Sequence, residues 1–324
     1  MNIQTSATRP LASAIPVTSV YDSDRWALVV RDGFGLGTHY LHIDDSVGDV
    51  ACVPVMTRRQ GPFRLVGSPL RGTHTEFGGA FAVGVDQAEI LQQLHRQLRA
   101  ARNSWIEWIF APSVLDHAGQ DALCSLGYVT EHKHSIMVDL NRPLDDIWAG
   151  FAGRARTEIR KAEKNGLQIE RLGPDNCASY MQLVGDVFAR QQRNASFDQR
   201  FLDAVHAHLL PEEFAHYGVF KDTQLVAGGL FLTGVNRMVF VSGASDHESR
   251  KLGVNSLIQW QAIQDAVAAG VTQYDMGGTG VGAIDKFKAS FGGVPICYDR
   301  YVYKTMAARV PAALYQFAHS RGWV

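Results

Sequence analysis

Two groups of residues have the types and spacing to bind a phosphate. The run Arg250-Lys251-Leu252-Gly253-Val254-Asn255 stands between a strand-like and a helix-like segment. Free backbone N–H groups at a helix N-terminus, a small residue permitting close approach and two cations would cradle a phosphate or pyrophosphate. The same residues also describe a solvated helix start, and spacing leaves both readings open. Arg156, Arg160 and Lys164 repeat at helical spacing inside 154–171, where basic residues outnumber acidic ones by three. They form either a basic stripe facing a phosphate or an ordinary solvated face.

Other chemistries lose their usual support. His132 and His134 share a strand face, whereas His206 and His208, two positions apart on a helix, point roughly 200° apart around its axis and cannot chelate one ion. No metal site is expected. Cys52, Cys124, Cys177 and Cys297 are far apart, with no CxxC pair, so free thiols in a reducing compartment are expected. There is no GxSxG elbow and no P-loop, which removes the common hydrolase and kinase readings. Gly278-Thr279-Gly280-Val281-Gly282-Ala283 fits GxGxxA, but too little chain follows it for the rest of a dinucleotide-binding sheet. Gly33, Gly35 and Gly37 read as a hairpin turn between strands at 28–31 and 39–43.

The elements that must position these groups alternate between strand and helix, the mark of an α/β protein. Strands are expected at 26–30, 50–56, 105–110 and 128–140, with helices at 88–101 and 116–126. A basic helix then runs over 144–165, ended by Gly166. Beyond it come a strand at 167–172, helices at 176–193 and 198–209, and three strands at 216–220, 224–233 and 237–245. A long helix at 253–268, a strand at 273–276, a short helix at 283–290 and a strand at 295–303 complete the chain. The tails of the two halves repeat helix, strand, helix, strand, with Trp105 answering Thr272 and Leu126-Gly127 answering Phe291-Gly292. That order predicts a duplication, with domains at 1–135 and 136–324.

Composition bounds the partners. The 324 residues include 31 basic and 32 acidic ones, a net charge of −1, with 46% hydrophobic and 19% charged. This is an ordinary globular chain with no overall positive field for DNA. Up to Leu140 there are 11 basic and 14 acidic residues, and beyond it 20 and 18, so any polyanion should be met in the second half. The apolar run at 11–17 is broken by Ser13 and Pro16 and is too short for an export signal, and no stretch is long enough to span a membrane, so a cytoplasmic protein is expected.

Three segments in order, FAGRARTEIRKAEKNGLQIERL at 151–172, YDMGG at 274–278 and DKFKASFGGVPICYDRYVY at 285–303, resemble the FemAB-like acyltransferases of the GNAT superfamily. That family comprises peptidoglycan-bridge aminoacyltransferases and relatives described as acetyltransferases. The first half matches only loosely, through SPLRGTHTEFGG at 68–79, and reads as a degenerate copy. The resemblance implies two tandem GNAT-like domains, each a mixed sheet flanked by helices, with the acyltransferase centre in the second. It also implies no tightly bound cofactor, a donor that is either an aminoacyl-tRNA or an acyl-coenzyme A, and an amine acceptor in a cell-envelope precursor or another small molecule, nucleotide- or lipid-linked. RKLGVN is similar to the GNAT pyrophosphate loop, with Arg250, Gly253 and Asn255 in its three marked places and Asn255 larger than the residue usual there. Phe287-Lys288 resembles a Phe-Lys pair whose lysine assists transfer in the aminoacyl branch.

Such a transfer needs a neutral amine, a stabilised carbonyl oxygen and a protonated leaving group. Lys288 would serve the oxyanion or a leaving 3′-oxygen, or be a surface lysine. Asp275 would orient the amine, or cap the following helix. Tyr301 and Tyr303, on one strand face, would shape the pocket or pack in the core. A catalytically inactive module that binds a phosphorylated ligand would use Arg250 equally well.

Overall fold

A computed structural model describes residues 1–10, 15, 17, 19–44, 48–278, 280 and 282–309. Thr279 and Val281 of the GxGxxA segment and most of the 11–17 run lie outside the described residues. The elements alternate as the sequence predicts. The first half contains β1 (Asn2–Ser6), α1 (Asp24–Phe34), β2 (Gly37–Asp44), β3 (Asp49–Gln60), β4 (Phe63–Ser68), β5 (Ala80–Phe81), α2 (Gln87–Ala100), β6 (Trp105–Ile109), α3 (His117–Ser125) and β7 (Val129–Asp139). The second contains α4 (Leu144–Gly150), α5 (Gly153–Lys164), β8 (Gln168–Arg171), α6 (Cys177–Arg190), α7 (Gln199–His208), β9 (Phe214–Lys221), β10 (Gln224–Thr233) and β11 (Arg237–Ser245). It closes with α8 (Val254–Ala268), β12 (Gln273–Gly278), α9 (Gly282–Ala289) and β13 (Val294–Lys304).

Three local expectations are corrected. Segment 26–30 is helical because Trp26, Val29, Val30 and Gly33 bury one face at i, i+3, i+4 and i+7. Gly35, at φ +66°, accordingly follows the end of α1 and is not a hairpin turn. The basic helix is two helices, because Phe151 and Ala152 are extended. Phe151 turns into the core, 5.1 Å from the Phe291 ring and 5.5 Å from Trp260.

The chain forms two compact units, and a single cut at 135/136 does not describe them. The first holds Met1–Pro16, Gly35–Lys133 and the chain from Tyr298; the second holds Val17–Phe34 and His134–Cys297. Residues 17–34 join the second unit because α1 packs on α7, with Phe34 5.0 Å from Phe201.

In the first unit the strands run β1-β2-β3-β4-β6-β13, with β5 beside β3. All pairs are antiparallel except β4 and β6, which α2 connects. The α2 side chains Ile90, Leu91, Leu94 and Leu98 share its core with Val53, Val66, Ile106 and Trp108. In the second unit the order is β7-β12-β11-β10-β9-β8, and the parallel pair is β11 and β12, connected by α8. Strand β10 is buried almost throughout, because α6 and α8 both pack on it, which accounts for its near-continuous apolar sequence.

The two units are copies. Strand β6, helix α3 and strand β7 recur as β12, α9 and β13, with starts at 105, 117 and 129 against 273, 282 and 294, offsets of 168, 165 and 165. The closing strands are exchanged: residues 135–139 of β7 pair with β12, and residues 300–304 of β13 pair with β6. No described helix is long and apolar enough to cross a membrane.

Candidate functional site

The site grows from the place where two parallel strands part. β11 and β12 pair only through Arg237–Gln273, Met238–Tyr274 and Val239–Asp275. Past Asp275, β12 continues against β7 through a bulge, since Asp275 faces Met137 while Gly278 faces Ser135. Gly277 lies in this bulge at φ +80°, a left-handed conformation that disfavours any side chain.

Both polar groups of Gly277 are used. Its N–H donates to Asp275 Oδ1 at 2.9 Å, and its carbonyl accepts from Lys288 Nζ at 2.9 Å. The ammonium also donates to the Gly278 carbonyl at 2.7 Å. Asp275 is 1% exposed, and its Oδ1 accepts a further hydrogen bond from Ser135. Its Oδ2 is buried with no hydrogen-bond partner among the described residues. A carboxylate oxygen left unpaired in a protein interior is costly, and such places are where function is to be sought.

Lys288, at 7% exposure, is not a surface lysine. Phe287 anchors α9 by packing on Phe291, 5.3 Å between rings, and on the second unit's core. Asp275 does not cap α9 either: Asp285 receives the Gly280 N–H at 3.0 Å. The structure thus brings Asp275, Gly277, Phe287 and Lys288 together. Ser135 is a member that no sequence pattern marked, because only the β7–β12 register carries it there.

The α8 start is built differently from the phosphate cradle. Gly253 has φ +83°, and a side-chain carbon there would overlap the Glu158 carbonyl oxygen of α5. Its smallness serves a helix–helix approach. Ser256 in the first turn of α8 donates to Glu158 Oε2 at 2.8 Å, placing a carboxylate at a helix N-terminus. Arg250 is exposed, Lys251 pairs with Glu248 at 2.8 Å, and Asn255 is half-buried.

On α5 the basic side chains turn back to α4. Arg156 donates to the Ala149 carbonyl at 2.8 Å, the Arg160 guanidinium lies 5.4 Å from the Trp148 ring, and Lys164 is exposed. Tyr301 and Tyr303 belong to the first unit. Tyr301 is buried in its core, where burial and the neighbouring Asp299 carboxylate push the phenol up, and Tyr303 packs on His95 and Tyr128 at 4.9 and 5.6 Å. Both fill core space.

The duplicated first copy carries an altered version of the centre. The offset of 168 sets Glu107 opposite Asp275 and that of 165 sets Arg300 opposite Ser135, and the registers agree, since Glu107 faces Val302 as Asp275 faces Met137. Glu107 is likewise 1% exposed, but both of its oxygens have donors: Oε1 accepts from the Arg71 N–H at 2.6 Å, and Oε2 from Arg300 and from the Trp105 indole at 3.3 Å. The position answering Lys288 is Leu123, a fully buried core residue.

Residues 150–289 match the acetyltransferase (GNAT) domain family. Over most of its length, then, the second unit is similar to a GNAT acetyltransferase domain. That GNAT match takes in α5, the α8 start, β12 and α9, hence Asp275 and Lys288. No curated protein sequence matches the chain. Among solved structures, FemX superposes with a TM-score of 0.70 at 14% identity, covering 94% of this chain and 95% of its own. A tandem GNAT protein from the clavulanic acid biosynthesis pathway gives 0.56 at 12% identity, with 94% and 98% covered. The C-terminal domain of a putative lysylphosphatidylglycerol synthetase from Agrobacterium fabrum gives 0.57 at 14%, with 91% and 92% covered. At these identities the likeness is one of fold, and a tandem GNAT fold is what the two copies form.

The contact at Gly253 makes a stability prediction. Gly253→Ala incurs about 1–2 kcal/mol for a left-handed non-glycine residue and about 1–3 kcal/mol for overpacking. Gly166→Ala, also at positive φ but with nothing within 4 Å, incurs only the first. Denaturant unfolding of the two variants is expected to rank Gly253→Ala well below Gly166→Ala.

Proposed function

We propose that this chain transfers an aminoacyl group from the 3′-oxygen of a charged tRNA to an amine of a cell-envelope precursor or another small acceptor, at Asp275 and Lys288. The observation that carries the reading is the joint use of Gly277: one residue positions a buried carboxylate through its N–H and a buried ammonium through its carbonyl. The second-unit copy alone has both groups, since Leu123 stands in the first where Lys288 stands in the second.

Asp275 Oδ2 would accept a hydrogen bond from the attacking amine and orient its lone pair. The nitrogen bonds to the ester carbonyl carbon, and the carbonyl oxygen becomes negative before the bond to the ribose oxygen breaks. Lys288 would stabilise that oxygen or supply the proton that the leaving 3′-oxygen needs; the proton the amine gives up passes to the leaving oxygen in the first case and restores the ammonium in the second. No covalent enzyme intermediate is required.

The donor assignment is supported by the α8 start. A coenzyme A pyrophosphate needs open backbone amides and no competing anion, whereas Glu158 sits on Gly253 and Ser256. FemX, a FemAB-family peptidoglycan aminoacyltransferase, supports the same class. An acyl-coenzyme A donor is the second reading, favoured by the acetyltransferase family match and by RKLGVN. A tRNA-dependent reaction would place the protein in the cytoplasm.

A donor comparison tests this. Purified protein is given charged tRNA or acyl-coenzyme A with candidate amines, and acylated product is detected by mass. Product with charged tRNA alone is expected. Turnover only with thioesters would overturn the donor assignment, and tight binding of a nucleotide-linked ligand with no product from any donor would identify an inactive binding module.

A further inference from the structure

Away from the transfer centre, the second unit gathers three metal-ligating side chains that are distant in sequence. Cys177 opens α6, His206 lies on α7 and His216 on β9, and one ligand atom from each lies within 4.8 Å of the others. Cys177 is fully buried and His216 is 1% exposed. His206 Nε2 lies 3.1 Å from His216 Nδ1, so one ring already gives up a nitrogen to the other, and His216 Nε2 is buried with no partner among the described residues. Asp203, exposed on α7 one turn before His206, carries a charge near enough to the Cys177 thiol to disfavour the thiolate. The sequence pair His206 and His208 is not the relevant one: His208 bonds Asp32 at 2.7 Å.

We propose that Cys177, His206 and His216 form a binding site for one transition-metal ion of the zinc class, with the fourth place of the shell left to a water molecule or an exogenous ligand. Two imidazoles and a thiolate make a donor set that suits tetrahedral zinc. Bonds of about 2.0–2.3 Å set tetrahedral ligand atoms roughly 3.3–3.8 Å apart. The histidine nitrogens, 3.1 Å apart, would open slightly and the sulfur, within 4.8 Å of them, would close in to reach that spacing.

The protonation states fit binding. Burial holds both imidazoles in the neutral form that coordinates, with His216 lowered to about 3 and His206 also lowered. Burial and Asp203 raise the Cys177 thiol to about 11, so capture of the ion expels one proton. Tyr180 and Phe214 wall the site, their ring centroids 4.6 Å from that of His216 and 5.0 Å from that of His206. A bound ion would fasten the start of α6 and the end of α7 to β9, a clip independent of the chemistry at Asp275.

Cobalt titration of the chelator-treated full chain tests the site. One equivalent of Co²⁺ is expected to give thiolate-to-metal charge-transfer absorption and tetrahedral d–d bands, both displaced by Zn²⁺ and both present in His208→Ala. Zinc is expected to raise the melting temperature of the wild type and not that of Cys177→Ser. Absence of a thiolate band in the wild type at saturating Co²⁺ overturns the proposal whether or not any variant folds. So does a band that persists in Cys177→Ser, since Cys124 and Cys297 are exposed and would then be its source.

Discussion

Replacing Lys288 with methionine is expected to lower acyl transfer by about two to three orders of magnitude, the usual loss when one preorganised donor to a developing oxyanion is removed. Methionine retains an unbranched apolar stem in the channel that the lysine fills between α9 and the 277–278 bulge. The fold should survive, with the Gly277 and Gly278 carbonyls losing a charged donor at about 1–3 kcal/mol. The fall should appear in kcat, because an ammonium in the proposed role acts on charge that exists only in the transition state. Arginine should not rescue it: the guanidinium is broader than an ammonium, and it cannot give up its proton. Asp275→Asn provides the companion measurement. It keeps the hydrogen bonds from Ser135 and Gly277 available to an amide oxygen while removing the charge that would hold the amine. Undiminished turnover in Lys288→Met, with the fold shown intact by circular dichroism, would make Lys288 a structural clamp on the bulge.

The parts of this centre differ in how visible they were along the chain. Strands β10 and β11 have the predicted bounds, and the helix predicted at 88–101 forms as α2 with Ile90, Leu91, Leu94 and Leu98 buried, because a long apolar run or a period of 3.6 records which face is covered. The short run at 26–30 failed for the same reason inverted: five apolar-rich residues fit either period, and only packing on α7 decides. Lys288 could be named because a family resemblance marked it, but its burial could not, since hydropathy places a lysine outside. Ser135 carried no signal, and Glu158 stood in the basic segment as one of three acids without indication that it would occupy the α8 start. Gly253 shows how a motif can mislead: a glycine at a helix N-terminus serves close approach in both readings, and the sequence does not say what approaches.

The duplication is more informative in three dimensions than in the sequence, because equivalent positions can be compared by register. Both copies bury an acid on the strand after the crossover helix, at Glu107 and Asp275. A buried carboxylate must be compensated, and the copies do so in opposite ways. In the second, compensation is partial, by a hydroxyl and an amide, leaving Oδ2 without a partner among the described residues. In the first it is complete, by Arg300, itself 2% exposed and also paired to Glu131 at 2.6 Å. With Leu123 in place of the lysine, the first copy has a counterpart of Asp275 without a counterpart of Lys288.

Glu107 should therefore be a stability residue and Asp275 an activity residue, and Glu107→Gln separates the two. Glutamine keeps the shape but leaves Arg300 buried with one carboxylate where it had two. Breaking a buried ion pair from one side costs about 3–5 kcal/mol, and retention of Glu131 puts the expected loss at the lower end, about 3 kcal/mol. In a chain of two units this should appear as an earlier first unfolding transition in denaturant, with the second little changed, so a single two-state fit is not the right measurement. Removing the other side as well, in Glu107→Gln with Arg300→Met, should recover much of the loss, because no unpaired charge then remains in the interior. At temperatures where Glu107→Gln is folded, its transfer rate should equal that of the wild type within a factor of about two, since the copy it belongs to lacks the lysine. A folded Glu107→Gln protein that has lost transfer would move the chemistry to the first unit and overturn the assignment of Asp275 and Lys288.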